Sequence, residues 1–410
     1  MSRRSTNRIL MLLENYAYPA DGRVRDEAHA LAAAGYRVSV IAPIHRKQSR
    51  YEILDGITVY RFPPARSGTG LWGYFWEYGY SLIAMFLVSL RALTAGGFDV
   101  VHAAQPPDAL ALIAGFYKLL GKKYVLDHHD LSPELYYYAR FRRKGNAFVY
   151  RALLWMEKLA FSLADHVITT NESYKEIAIN RGHVEEDHIT IVRNGPRKLD
   201  SPRVHAEPLI RKDGRLVIGY MGVTARQDGV DNLLGAVRHL VVDLKRSDFL
   251  CVVVGDGSAM PELKSLASEL NIDSYVQFTG WVRDAGLLEQ YLAEMDLCVA
   301  PEPSDPYNDR STAVKVMEYM AAGRPIVSFD LPEHRLTARD AALYAKPGDQ
   351  LELARQIAVL MDDPQLRERL GAAGRSRVES ELGWPHQATR LLEAYAALAG
   401  PHPKVIIQPG

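Results

Sequence analysis

Short apolar runs alternate with amphipathic helical stretches along almost the whole chain, and this alternation leaves few folds open. In the first half "RILMLLE", "YRVSVIAP", "ITVYRFP", "FDVVHAA", "KYVLDHHD", "ADHVITTN" and "HITIVRNG" read as strands. Between them "RDEAHALAAAG", ending on Gly35, and "DALALIAGFYKLLG" read as helices. The second half restarts with "RLVIGYMG" and continues through "DFLCVVVGDG", "YVQFTGWV", "MDLCVAP" and "RPIVSFD", again with helices between. Runs that stay apolar at successive positions suit strands buried on both faces. Repeated β-α-β units of this kind predict an α/β protein with doubly wound parallel sheets.

A chain of 410 residues is too long for one ordinary core. The segment "PRKLDSPRVHAEPLIRKDGR", Pro196 to Arg215, is polar and aperiodic and reads as the linker. We therefore expect two Rossmann-like domains facing across a cleft, spanning 1–200 and 201–383. A terminal helix, 384–400, is expected to pack back toward the first domain. The formal net charge is zero, which argues against a general nucleic-acid binder. The two cysteines, Cys251 and Cys298, lie in apolar runs and read as reduced core residues, as in the cytoplasm. The opening "ILMLL" is too short for a secretory signal and reads as the first strand.

An uncharged run from Tyr78 to Leu90 is shorter than the roughly 20 residues that span a bilayer. It follows the aromatic "LWGYFW", and "LYYYARFRRKG" sets three tyrosines beside Arg140, Arg142, Arg143 and Lys144. This combination is either an interfacial segment on an anionic membrane or a buried helix with a solvated basic loop.

Parallel sheets bind ligands at the carboxyl ends of their strands. No G-x-G-x-x-G dinucleotide fingerprint and no P-loop occurs there. "VVVGDG" offers Gly255 and Gly257, which let a loop turn tightly or approach a ligand. "DHHD" has the donors for a metal, but no further cluster at ligand spacing supports one.

The stretch "KVMEYMAAGRPIVSFD", Lys315 to Asp330, is a helix ended by Gly323 and Pro325 and followed by a buried strand. Val314, Met317 and Ala321 are the expected apolar face. Lys315 and Glu318, three apart, share another face.

Taken in order, "VIGYMG", "VVVGDG", "VQFTGWV", "MDLCVAPEP" and "KVMEYMAAGRPIVSFD" resemble the retaining family-4 glycosyltransferases of the GT-B fold. "HHDLSPE", "GVTARQDGVD" and "PYNDRSTAVKVMEYM" are most similar to the WbuB-like branch, which builds surface polysaccharides on lipid carriers. The resemblance implies a metal-independent transferase with no cofactor, whose co-substrate is a nucleotide-diphosphate sugar, a UDP-sugar first. It implies a lipid-linked saccharide acceptor and a cytoplasmic enzyme peripheral at the inner face of the membrane. Glu318 would bind the ribose hydroxyls, since a carboxylate only accepts and can take both members of a diol. Ser311 and Thr312, at the helix start, and Lys315 would meet the diphosphate. Gly222, Arg226, Gly255, Trp281 and Val282 complete the expected donor side. His129 and Asp130 are the expected catalytic residues, Asp130 either orienting the loop or capping the helix that follows. His128 reads as a packed ring, and Glu134 as a loop or helix-cap partner. Gly22 would allow close approach of an acceptor. Arg23 and Arg25 either meet an acceptor phosphate or form a solvated helix start.

The family pattern is not fully kept. The glutamate usually found eight residues before Glu318 is Arg310 here, and the usual basic positions after "GYMG" read Val223 and Asp228. Arg226 and Lys315 are the replacements expected from sequence. An epimerase on the same fold, or a non-catalytic nucleotide-sugar-binding protein, is the alternative.

Overall fold

The computed structural model describes residues 7–45, 48–65, 70–140, 145–197, 208–210 and 213–399, and the side chains of all of these except 70–75, 139, 140 and 399. The chain divides into two compact units. The first comprises Met1–Leu135, Asn146–Asn194 and Gln387–Gly410, and the second Tyr136–Gly145 and Gly195–His386. Most of the Pro196 to Arg215 linker, the residues Arg142, Arg143 and Lys144, and the side chains of Arg140 and of Leu71 to Phe75 lie outside the described residues.

The first unit is built on the strands Arg8–Leu13 (β1), Arg37–Pro43 (β2), Tyr51–Leu54 (β3), Ile57–Phe62 (β4), Val100–Ala104 (β5), Lys123–His128 (β6), His166–Thr169 (β7) and Ile189–Ile191 (β8). Their order is β3-β4-β2-β1-β5-β6-β7-β8, parallel except for the β3–β4 pair. Alternate residues of a strand face opposite sides. Val101 and Ala103 therefore pack with Met85 of the helix Gly70–Ala95 and Leu110 of the helix Leu110–Leu119. His102 points to the other side, toward the helix Gly22–Ala33.

The second unit holds Leu216–Met221 (β9), Phe249–Val254 (β10), Val276–Gly280 (β11), Leu297–Ala300 (β12), Ile326–Phe329 (β13) and Ala342–Ala345 (β14). This sheet is parallel throughout, in the order β11-β10-β9-β12-β13-β14. Its two faces carry separate apolar cores, one around Ile218, Val253 and Val299, the other around Val252, Cys298 and Met317. Both cysteines are buried and unpaired.

Three sequence expectations change. β3 and β14 were not foreseen: β3 is a half-exposed edge strand and β14 is short and rich in alanine. The uncharged Tyr78–Leu90 run is part of a 26-residue helix, of which Trp76–Ala95 is long and apolar enough to span a membrane by length and composition. That helix buries Ser81, Met85, Ser89 and Ala92, and Ser89 Oγ pairs with Tyr117 OH at 2.7 Å, so it is also a layer of this unit. Its outward side exposes Trp76, Ile83 and Leu87.

Candidate functional site

In the second unit the loops after β9, β10 and β12 meet the helix Val314–Ala321. Gly222 and Gly255 end two neighbouring strands with φ of 153° and 137°, a region that disfavours side chains. A Cβ on Gly255 would stand 1.9 Å from the Gly222 carbonyl oxygen, so the packing of the two loops requires glycine there. A Cβ on Gly222 would stand 3.2 Å from Lys315 Cε, which puts the lysine stem directly under the Gly222 backbone.

The helix Val314–Ala321 buries Val316, Met317, Tyr319 and Met320. Val314 is exposed, against expectation, because the inward stripe is displaced by two residues. Tyr319 OH anchors the helix to the end of β9, accepting from the Met221 N–H at 2.8 Å. Ala313 occupies the N-cap position and offers no side-chain cap, and its carbonyl accepts from Val316 N at 3.0 Å, so the helix start presents its positive dipole end to an anion. Ser311 and Thr312 lie just before it, partly buried. Glu318 is partly buried and makes no side-chain hydrogen bond among the described residues. Burial lifts its pKa, against the pull of Lys315.

Lys315 is not the free point charge that its position in the sequence suggests. Its Nζ donates to Tyr220 OH and Asp228 Oδ1, both at 3.0 Å, and ion-pairs with Glu302 Oε1 at 2.6 Å. Burial opposes the ammonium, but Glu302, Tyr220 and Asp228 together raise its pKa well above the ordinary lysine value. Glu302 follows β12 and is buried; Lys315 outweighs the burial and holds it below the usual range. Asp228 ends a short turn, Arg226–Asp228, and burial lifts it above the usual range. Behind Glu302, His334 Nε2 stands 3.9 Å away, and its Nδ1 pairs with Ser328 Oγ at 2.7 Å. Arg226 is exposed, with no hydrogen bond or ion pair among the described residues. Trp281 is exposed after β11, and Val282 packs partly on the core. Arg310 is exposed and donates from Nη1 to the Pro306 carbonyl at 2.9 Å.

In the first unit the loop after β6 presents His129. Its Nδ1 lies 3.0 Å from Asp127 Oδ2, with the ring slightly exposed. Asp127 is fully buried and also receives Arg23, Nε at 2.8 Å and Nη2 at 2.6 Å. Arg23 Nη1 donates onward to the Val192 carbonyl (2.9 Å) and Asn194 Oδ1 (2.7 Å). Neither sequence reading of Arg23 therefore stands: it is neither a solvated helix start nor free for a phosphate, because its donors are engaged inside the unit. Gly22 opens the helix, which Asp21 caps by accepting from Val24 N at 2.9 Å. Arg25 stays partly exposed and donates to Asp26 Oδ1 at 3.1 Å. Asp130 accepts from Leu131 N at 2.9 Å. His128 is packed between Phe161 and Tyr174 with Nε2 3.3 Å from Glu157, and Glu134 pairs with Arg181 at 2.6 Å.

The sequence reading missed three members of this cluster. Glu27 lies 3.1 Å from Arg23 and 3.3 Å from His102 Nε2, and Tyr395 OH meets His102 Nδ1 at 2.7 Å. The available signal was His102 itself, the one ionisable residue in the wholly buried strand Val100–Ala104. Burial opposes charge on His102, yet Asp127 and Glu27 raise it to about 9. His129 is likewise raised, Asp127 outweighing burial, and Arg23, His129 and His102 hold Asp127 well below the carboxylate range. Ligand atoms of Glu27, His102 and Asp127 lie within 4.8 Å of one another, but the Arg23 guanidinium, 2.6 and 3.1 Å from the two carboxylates, and a charged His102 already balance them, and the set does not fit a divalent cation.

Residues 21–195 match the glycosyl transferase 4-like domain model, and residues 215–363 match the model of glycosyl transferases group 1. The phosphatidyl-myo-inositol mannosyltransferase of Mycobacterium leprae is 31% identical over 320 residues, 77% of this chain and 78% of that protein. The lipopolysaccharide core biosynthesis glycosyltransferase LpsD of Rhizobium meliloti is 30% identical over 188 residues, 45% of this chain, and the match spans about half of that protein, 51%. The structure of Anabaena Alr3699/HepE in complex with UDP and glucose superposes with a TM-score of 0.71 at 16% identity, covering 95% of this chain and 99% of that one.

Proposed function

The chain belongs to the glycosyltransferases and has their GT-B architecture, and from that premise we propose that it moves a sugar from a nucleoside-diphosphate sugar to a lipid-linked saccharide, retaining anomeric configuration. The observation that carries this reading is Glu318, a partly buried carboxylate without a hydrogen-bond partner among the described residues, one turn after an uncapped helix start. A carboxylate in that place accepts from the vicinal ribose hydroxyls. The first-turn N–H groups, Arg226 and Lys315 face the diphosphate, where charge develops as the sugar leaves. The UDP and glucose bound to the Anabaena neighbour support a UDP-sugar as donor.

His129 is the group of the first unit that reaches the reacting sugar or acceptor. Asp127 fixes its Nδ1, which leaves Nε2 for the substrate. Retention follows from front-face attack, in which the departing diphosphate takes the acceptor proton. A lipid-linked acceptor fits the core-saccharide and phosphatidylinositol relatives and the WbuB-like motifs. The exposed apolar side chains Trp76, Ile83, Leu87, Leu119 and Trp155 of the first unit support a peripheral position at the inner face of the membrane.

The test is Glu318→Gln with a panel of nucleotide-sugars and lipid-diphosphate acceptors. Donor affinity and turnover both fall by at least tenfold if the ribose is held there. Wild-type values for both, in a folded variant, exclude the assignment. Turnover that needs no acceptor would favour the epimerase, and binding without turnover across the panel the non-catalytic protein.

A further inference from the structure

Lys315 is the buried cation of the donor side, and two carboxylates already surround it. Its ammonium bonds Tyr220 and Asp228 and ion-pairs with Glu302. One ammonium and two carboxylates sum to a charge of −1, and Glu318 stands three residues further along the same helix. An anion approaching Gly222 therefore meets a lysine whose charge is more than cancelled, which opposes binding.

The two carboxylates are not equivalent. Glu302 follows directly on a strand, is 5% exposed, and is backed by His334. Asp228 sits on the turn that follows the Gly222 loop, more exposed at its side chain, 17% against 7%. Beyond Lys315 its one further hold is Oδ2, which accepts from Ala225 N at 3.2 Å. The residue after it, Gly229, is left-handed, and a Cβ there would strike the Pro301 carbonyl, so the turn is held at its base while Asp228 is held only by hydrogen bonds.

We propose that Asp228 is a built-in competitor for the donor diphosphate: it shares Lys315 with Glu302 and releases the ammonium when the diphosphate arrives. This rests on the reading of the second unit as the donor site. Release requires Asp228 either to turn outward or to take up a proton. The groups that face it are Lys315, Tyr220 and Glu302, with His334 and Glu318 one step beyond. Burial and Glu302 lift its pKa, so the protonated route opens as pH falls, and burial lowers the pKa of His334, which opposes its charging over the same range.

Calorimetric titration with UDP-glucose and GDP-mannose between pH 5.5 and 8 tests this, since a diphosphate diester has no proton to lose in that range. The wild type is expected to bind the preferred donor more tightly as pH falls. Asp228→Asn should bind it about tenfold more tightly at pH 8 and with a flattened pH dependence. Asp228→Ala, which also gives up the Ala225 bond, should show the same flattening. Unchanged or weaker binding by both variants, with native circular dichroism, overturns the proposal. Failure of either donor to bind any of the three proteins overturns the donor-site reading itself, and the proposal with it.

Discussion

In the first unit a buried carboxylate, Asp127, is ringed by Arg23, His102 and His129; in the second a buried ammonium, Lys315, is ringed by Asp228, Glu302 and Tyr220. The charges fall out differently. Asp127 and Glu27 are balanced by Arg23 and a charged His102, and Asp21 adds a further carboxylate that favours a proton on the slightly exposed His129. Around Lys315 the surplus is negative and buried. A cation hub and an anion hub of similar depth therefore differ in what they hold ready. The first favours a proton on its slightly exposed histidine, whereas in the second the lysine is freed only if one of its own carboxylates yields.

The largest break in this comparison is Asp127→Asn. It leaves Arg23 and His102 sharing Glu27 in the interior and should cost about 3–5 kcal/mol of stability, read from urea unfolding. A loss below 1 kcal/mol would show that Arg23 relaxes to water and that the hub is not closed. Next comes Lys315→Met. It sets Asp228 against Glu302, and both carboxyls can answer by taking up protons, so the stability loss should be smaller and should shrink as pH falls from 8 to 5.5. Turnover should drop by roughly a hundredfold. Full turnover would mean the diphosphate is held by the helix start and Arg226 alone.

The smallest effect is the pH dependence of the first unit. The pKa of His102 is raised from 6.5 to about 9 on folding, so its contribution is complete below pH 6.5 and is lost as pH rises through about 9. Thermal unfolding of the first unit should decline over that window, and His102→Gln should flatten the decline. An unchanged slope in the variant would assign the pH dependence to other groups.

What could be read from sequence followed from locality. Strands such as "FLCVVV" are apolar at every position because both faces are covered, and β10 lies where that run predicts. β3 escaped because an edge strand with alternating exposure has no such run, and β14 because four residues with three alanines or leucines carry little strand signal. Glu318 was legible because its helix, stop and following strand are contiguous. The setting of Lys315 was not: Asp228 lies 87 residues away in the chain and Tyr220 lies 95. The sequence did mark Asp228 as an acid where a base was expected, but only the fold joins it to the lysine. Arg23 shows the same limit, since its carboxylate partner is 104 residues distant.

The bond between Tyr395 and His102 joins residues 293 positions apart, in a unit otherwise made from the first half of the chain. Synthesis is vectorial, at about 5–20 residues per second, so roughly 15–60 seconds separate the emergence of the two partners from the ribosome. Throughout that interval His102 has its carboxylates but lacks its hydroxyl, and the helix Gly22–Ala33 side of the sheet waits for the cover that the helix Trp384–Ala399 brings. The nascent first unit thus exposes a polar seam that closes only after the helix Trp384–Ala399 has been made, so the His129 side of the enzyme is completed long after its own strands.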